Sequence, residues 1–114
     1  MSVKLNTRQV GNVSVIDVAG RITLGEGSAA LRETLRDMVA KNQNKILLNL
    51  ADVTYIDSSG IGELVSAFTT VTNNGGQLKL LNLNKRVKDL LQITKLYTVF
   101  EVKEDEADAI RSFS

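Results

Sequence analysis

Three features of this sequence predict an α/β fold in which a mixed β-sheet opens with an N-terminal antiparallel hairpin and continues as β-α units, helices packed against the sheet. Short apolar runs alternate with stretches of helical period, and the first two runs are joined by a tight Gly11-Asn12 turn. The third run, Ile46-Leu47-Leu48-Asn49-Leu50, is apolar on nearly every residue, as a strand buried on both faces requires.

The first segment alternates through Val3, Leu5 and Thr7, turns, and resumes with Val13, Val15, Ile16 and Val18, which makes a hairpin. Gly20-Arg21-Ile22-Thr23-Leu24-Gly25 reads as a loop into a helix, with Thr23 and Glu26 at capping-box spacing. Leu31, Leu35, Met38 and Val39 then recur at helical spacing, with Arg32, Glu33, Arg36 and Asp37 on the opposite face. Lys45 to Leu50 is predicted as a central strand and Asp52 to Ile56 as its exit. A helix follows with Ile61, Leu64, Val65 and Phe68 on one face, stopped by Asn73-Asn74-Gly75-Gly76. Leu78, Leu80, Leu81 and Leu83 make the next strand, and Val87, Leu90 and Leu91 a short helix that Asn84 caps. A last strand over Thr98 to Val102 and a helix over Glu104 to Phe113 complete the pattern, with acids near that helix's positive end and Arg111 near its negative end.

The length of 114 residues and the 43% apolar content fit one domain over 1–114 with a single core. No long apolar stretch marks a signal peptide or a membrane span, so the expectation is a cytoplasmic globular protein. The absence of cysteine and histidine excludes disulfides, thiolate nucleophiles, imidazole bases and Cys/His metal sites. A formal charge of +1 argues against a polyanionic partner, although Lys79, Lys85, Arg86 and Lys88 are candidates for a local basic patch.

The segment that carries chemistry is Asp57-Ser58-Ser59-Gly60, between the central strand and the Ile61 helix. There Asp57 is the expected N-cap, Ser58 and Ser59 stand at the rim, and Gly60 and Gly62 leave room for a partner's active site to approach. A serine without a base is no nucleophile, and no Ser-x-x-Lys spacing occurs here, so the hydroxyl is better suited as another enzyme's substrate than as a catalyst. From these residues alone, a structural cap and a regulatory hydroxyl both remain open. Asp52 as a phosphoacceptor lacks the acidic pair expected after a first strand, and Gly20 and Gly25 match no phosphate-binding glycine motif.

In order and spacing the chain resembles a STAS domain, specifically the small bacterial anti-sigma factor antagonists. The likeness is carried by the opening hairpin, Gly20-Arg21-Ile22, the path from Leu48 through Val53 and Ile56 to Asp57-Ser58-Ser59-Gly60-Ile61-Gly62, Leu78 to Leu83, Val87-x-x-Leu90-Leu91-x-x-Thr94-x-Leu96, and Val99-Phe100. The resemblance implies a STAS-like fold and a non-enzymatic role without cofactor or metal. It further implies that Ser59, directly before the glycine, is the phosphorylated residue, with Asp57 and Ser58 shaping its flank. The implied partners are an anti-sigma factor serine kinase, bound by the unphosphorylated form and released by phosphorylation so that sigma-factor availability changes, and a serine phosphatase acting on the phosphorylated form. Direct nucleic-acid binding and membrane insertion are not implied.

Two departures from the family pattern stand out. Arg21-Ile22-Thr23 replaces an acidic-aliphatic-Asp sequence in the loop bordering Ser59, so that Arg21 faces either the phosphate or an acidic patch on the partner; Lys95 replaces a glycine of the late turn. The expected docking face comprises Arg21, Thr23 and Gly25 of the loop with Glu63, Ser66 and Thr70 on the exposed side of the following helix. The alternative within the same resemblance is a non-catalytic adaptor or structural subunit of a lipid-transport or stress-signalling assembly.

Overall fold

The computed structural model describes residues 3–113. Strands β1 (Val3–Val10) and β2 (Val13–Ile22) form the predicted hairpin, and α1 (Glu26–Ala40), β3 (Lys45–Ile56), α2 (Ser58–Asn73), β4 (Gln77–Leu81) and α3 (Lys85–Ile93) follow. A 3-10 turn over Leu96–Thr98, strand β5 (Val102–Lys103) and helix α4 (Glu106–Arg111) end the described chain. The sheet order is β1-β2-β3-β4-β5, antiparallel between β1 and β2 and parallel thereafter.

The near-continuous apolar run of β3 is explained by its place between two parallel neighbours with cores on both faces. Ile46, Leu48 and Leu50 join Ile16, Val18, Leu31, Leu35, Leu64, Leu78 and Leu80 in the larger core, while Leu47 points the other way to Val13, Val15, Leu81 and Ala109 under α4. The two-residue period of a strand thus feeds two apolar layers. Phe68 meets Phe100 edge to face at 5.5 Å, which closes the larger core at the end of α2.

Several boundaries differ from the sequence reading. Gly20-Arg21-Ile22 is strand, not loop, and Asp52 to Ile56 continues β3 rather than leaving it, because these two stretches pair in parallel, Arg21 with Tyr55 and Ile22 with Ile56. Register shifts at Asp17/Ala19 and Gly20/Arg21 place extra residues in β3, and such irregularity hides the alternation that marks a strand. The capping box does not form at α1, whose N-cap is Gly25 at φ 97°, a conformation open to glycine; the Thr23 carbonyl instead accepts from the Ser28 N–H and hydroxyl. The last strand is confined to Val102–Lys103, since Leu96–Thr98 coils into the 3-10 turn, and α4 is shorter than Glu104 to Phe113, with Asp105 as its cap. Leu83 is buried, but just beyond β4.

Lys95, the departure in the late turn, adopts φ 61°, the left-handed geometry that glycine accepts without strain. The basic patch is not assembled as expected. Lys79 is buried, its amine held by Glu101, the Ser112 carbonyl and the Ser112 hydroxyl and set over the Phe113 ring, away from Lys85 and Arg86 on α3. Among the described residues no helix is long and apolar enough to cross a membrane.

Candidate functional site at the start of α2

The site lies where β3 hands over to α2. Asp57 stays extended (φ −105°, ψ −175°) and caps the helix, its Oδ1 accepting the Gly60 N–H at 2.8 Å and its carbonyl the Ile61 N–H at 2.9 Å. The Asp57 N–H donates to the Ile22 carbonyl at 3.4 Å, which ties the cap to the end of β2. The first-turn N–H groups of Ser58 and Ser59 have no intrahelical acceptor, and with the helix dipole they favour negative charge at this end.

Gly60 has a different task from the one expected of it. It is buried, and a Cβ added there would stand 2.3 Å from the Ile22 carbonyl oxygen and 2.6 Å from Ile56 Cγ1. Its lack of a side chain lets the first turn of α2 lie against β2 rather than opening access to the hydroxyls. Gly62, by contrast, is exposed and has open space where a Cβ would project.

Ser58 and Ser59 project about 100° apart around the helix, as consecutive residues must. Ser58 is exposed and lines an open groove of about 750 Å³ together with Tyr55, Asp57, Lys85, Arg86, Asp89 and Ile93. Ser59 is half-buried and begins the stripe Ser59, Glu63, Ser66, Thr70, whose last three members line a small cleft with Arg32 and Arg36 of α1. Neither serine hydroxyl has a hydrogen-bond partner among the described residues, so neither has a base to activate it.

The structure separates the expected docking residues into two groups. Glu63 is only 8% exposed and receives the Arg32 guanidinium at 2.8 and 3.3 Å, which joins α2 to α1; it is not on the exposed side of the helix. Its position one turn from Ser59 turns it inward, a placement that a charged residue in a helical pattern does not announce. Ser66 is exposed, Thr70 half-buried, Thr23 half-buried with its carbonyl engaged, and Gly25 exposed. Arg21 is exposed at the end of β2, its guanidinium 4.6 Å from the centre of the Tyr55 ring, and Arg86 approaches the same ring at 5.3 Å. Tyr55 and Ile93 have no counterpart in the sequence reading of the site, because the register shift that sets Tyr55 beside Arg21 leaves no pattern in the sequence.

No group of three or more histidine, cysteine, aspartate or glutamate side chains is placed to hold a metal among the described residues. The fold is an α/β domain in which an exposed Ser58 and a half-buried Ser59 open α2, neither with a base beside it among the described residues. The STAS domain model matches residues 4–109, and the chain belongs to the STAS domain family, among its anti-sigma factor antagonists. It is 32% identical over 102 residues to the anti-sigma-B factor antagonist of Bacillus subtilis, covering 90% of this chain and 92% of that protein. A Thermotoga maritima protein described as a candidate anti-sigma factor antagonist has the same fold with a TM-score of 0.88 at 24% identity, covering 96% of this chain and 93% of that one. The Bacillus cell fate determinant SpoIIAA, solved in its phosphorylated form, matches with a TM-score of 0.75 at 19% identity over 95% of this chain and 97% of its own.

Proposed function

We propose that this protein antagonises an anti-sigma factor that is also a serine kinase: the unphosphorylated form binds the kinase, and transfer of phosphate to Ser59 releases it. The observation that carries this reading is a half-buried serine on the first turn of α2, two residues from the Asp57 cap, with a hydroxyl that has no hydrogen-bond partner among the described residues. Ser59 is the acceptor, Asp57 fixes the turn, Gly60 seats it against β2 and Gly62 leaves the approach open. Arg21, Thr23, Gly25, Ser66 and Thr70 border the contact, and Glu63 positions the stripe by holding Arg32.

The physical basis of release is a charge added to an interface. A phosphoserine brings about −1.5 to −2 charges at pH 7. On the free protein the first-turn N–H groups and helix dipole receive that charge, so the fold survives. Against a partner packed on Ser59 the same charge is desolvated, and each ~1.4 kcal/mol of repulsion lowers affinity about tenfold. A serine phosphatase acting on the phosphorylated form would reset the cycle.

Incubation with the cognate kinase and ATP, followed by peptide mapping, is expected to place one phosphate on Ser59 and none on Ser58. An active kinase that leaves Ser59 unmodified contradicts the reading.

A further inference from the structure

Arg21 of β2 and Arg86 at the start of α3 bring two guanidiniums to one ring, 4.6 and 5.3 Å from the centre of Tyr55. Neither has a carboxylate within hydrogen-bond distance among the described residues, whereas the neighbouring Lys85 is paired with Asp89 at 2.8 Å. Two guanidiniums thus lie against one half-buried aromatic ring with no carboxylate to neutralise them, and an incoming anion would meet both. Beside them the groove is lined by Leu90 and Ile93, the latter 77% exposed and open to an apolar contact.

We infer that the Arg21-Tyr55-Arg86 face, with Ile93 at its edge, docks an acidic segment of the protein partner, one that presents carboxylates to the guanidiniums and an apolar side chain to Ile93. The inference rests on the proposed function only in taking the partner to be a protein. Free phosphate fits less well, because the groove is wide and open, and because Asp57 and Asp89 also line it and oppose a dianion more strongly than a single carboxylate. An acidic peptide can offer one carboxylate to each guanidinium, each a single charge rather than a dianion. The face lies on the Ser58 side of α2, so it extends the contact that Arg21 already borders and makes charge on the partner a determinant of which partner is accepted.

The test uses the uniformly 15N-labelled full chain titrated at low salt with a capped Glu-Leu-Glu-Glu-Leu-Glu peptide and, separately, with inorganic phosphate. The expected result is saturable shifts of the Arg21, Tyr55, Arg86 and Ile93 amides with the peptide, at least tenfold weaker in the double variant Arg21→Glu/Arg86→Glu and unchanged in Lys4→Glu. Retained spectral dispersion of the double variant separates lost binding from lost fold. Saturation by phosphate at equal or lower concentration, no saturable shift at this face, or undiminished binding by the double variant overturns the inference. Because no kinase is present, failure here leaves phosphorylation of Ser59 standing, and failure of that phosphorylation leaves this result standing.

Discussion

The face of the sheet covered by α4 and the rim where β2 and β3 end handle charge in opposite ways. On the side covered by α4, Arg8 forks between Asp17, at 2.7 Å, and Glu106, at 2.6 Å, while Asn49 adds a further hydrogen bond to Asp17, and the buried Lys79 amine is held by Glu101 and Ser112. At the rim where β2 and β3 end, Arg21 and Arg86 lie against the Tyr55 ring with no ion pair among the described residues, and the Ser58 and Ser59 hydroxyls have no hydrogen-bond partner among them. Polar groups that satisfy one another hold elements together, and polar groups left open to solvent are available to another molecule. The first region therefore serves stability, and the proposed function assigns the second to recognition.

The largest expected departure from this division is Gly60→Ala. Although it lies at the rim, the added methyl meets the Ile22 carbonyl and Ile56, neither of which moves without shifting a strand end. Urea denaturation should show a loss of about 3 kcal/mol, the upper part of the usual range for overpacking. A loss below ~0.5 kcal/mol would mean that α2 does not rest on β2 as described.

Arg8→Met comes next and tests the paired face. Hydrogen bonds from Arg8, with a smaller contribution from Asn49 at Asp17, hold the Asp17 and Glu106 carboxyls below their ordinary values. A depressed carboxylate pKa adds stability above the ordinary values of ~3.9 and ~4.3, and that stability is lost as pH falls through the depressed ones. The variant should thus be less stable than wild type by about 1 kcal/mol at pH 7, a figure reduced for the partial exposure of all three groups, and the gap should close towards pH 2 to 3. Denaturation at both pH values measures it, and a gap that stays constant with pH would remove the ion pairs from the account.

An effect of comparable size is that of Asp57→Ala, which deletes the cap acceptor of the Gly60 N–H and should cost ~1 kcal/mol by the same measurement. Asp57→Asn, which keeps an acceptor oxygen, should recover most of it. No recovery would show that the charge, not the cap, is what the position needs.

The hairpin, the order of the β-α units, both asparagine and aspartate caps at α3 and α2, and the Ser59 turn were legible in the sequence because each rests on local chemistry: alternation, a Gly-Asn turn, or an acceptor three residues before a donor. What escaped depends on distant partners. Glu63 looks like a surface acid until Arg32 of α1 is placed above it, and Lys79 looks like part of a basic stretch until α4 folds over it. Tyr55 joins Arg21 only through a register shift between β2 and β3, and Gly60 reveals its packing role only when the Ile22 carbonyl is in place. Family likeness narrowed the serine pair to Ser59, a choice that the chain's own chemistry left open.

The central claim, that the Ser59 rim serves recognition rather than the fold, is tested most directly by measuring kinase affinity and thermal stability together for Ser59→Asp. The account predicts at least a hundredfold loss of affinity, about 2.7 kcal/mol, with a stability change within about 0.5 kcal/mol. Unchanged affinity, or a stability loss large enough to account for the weaker binding, would contradict it.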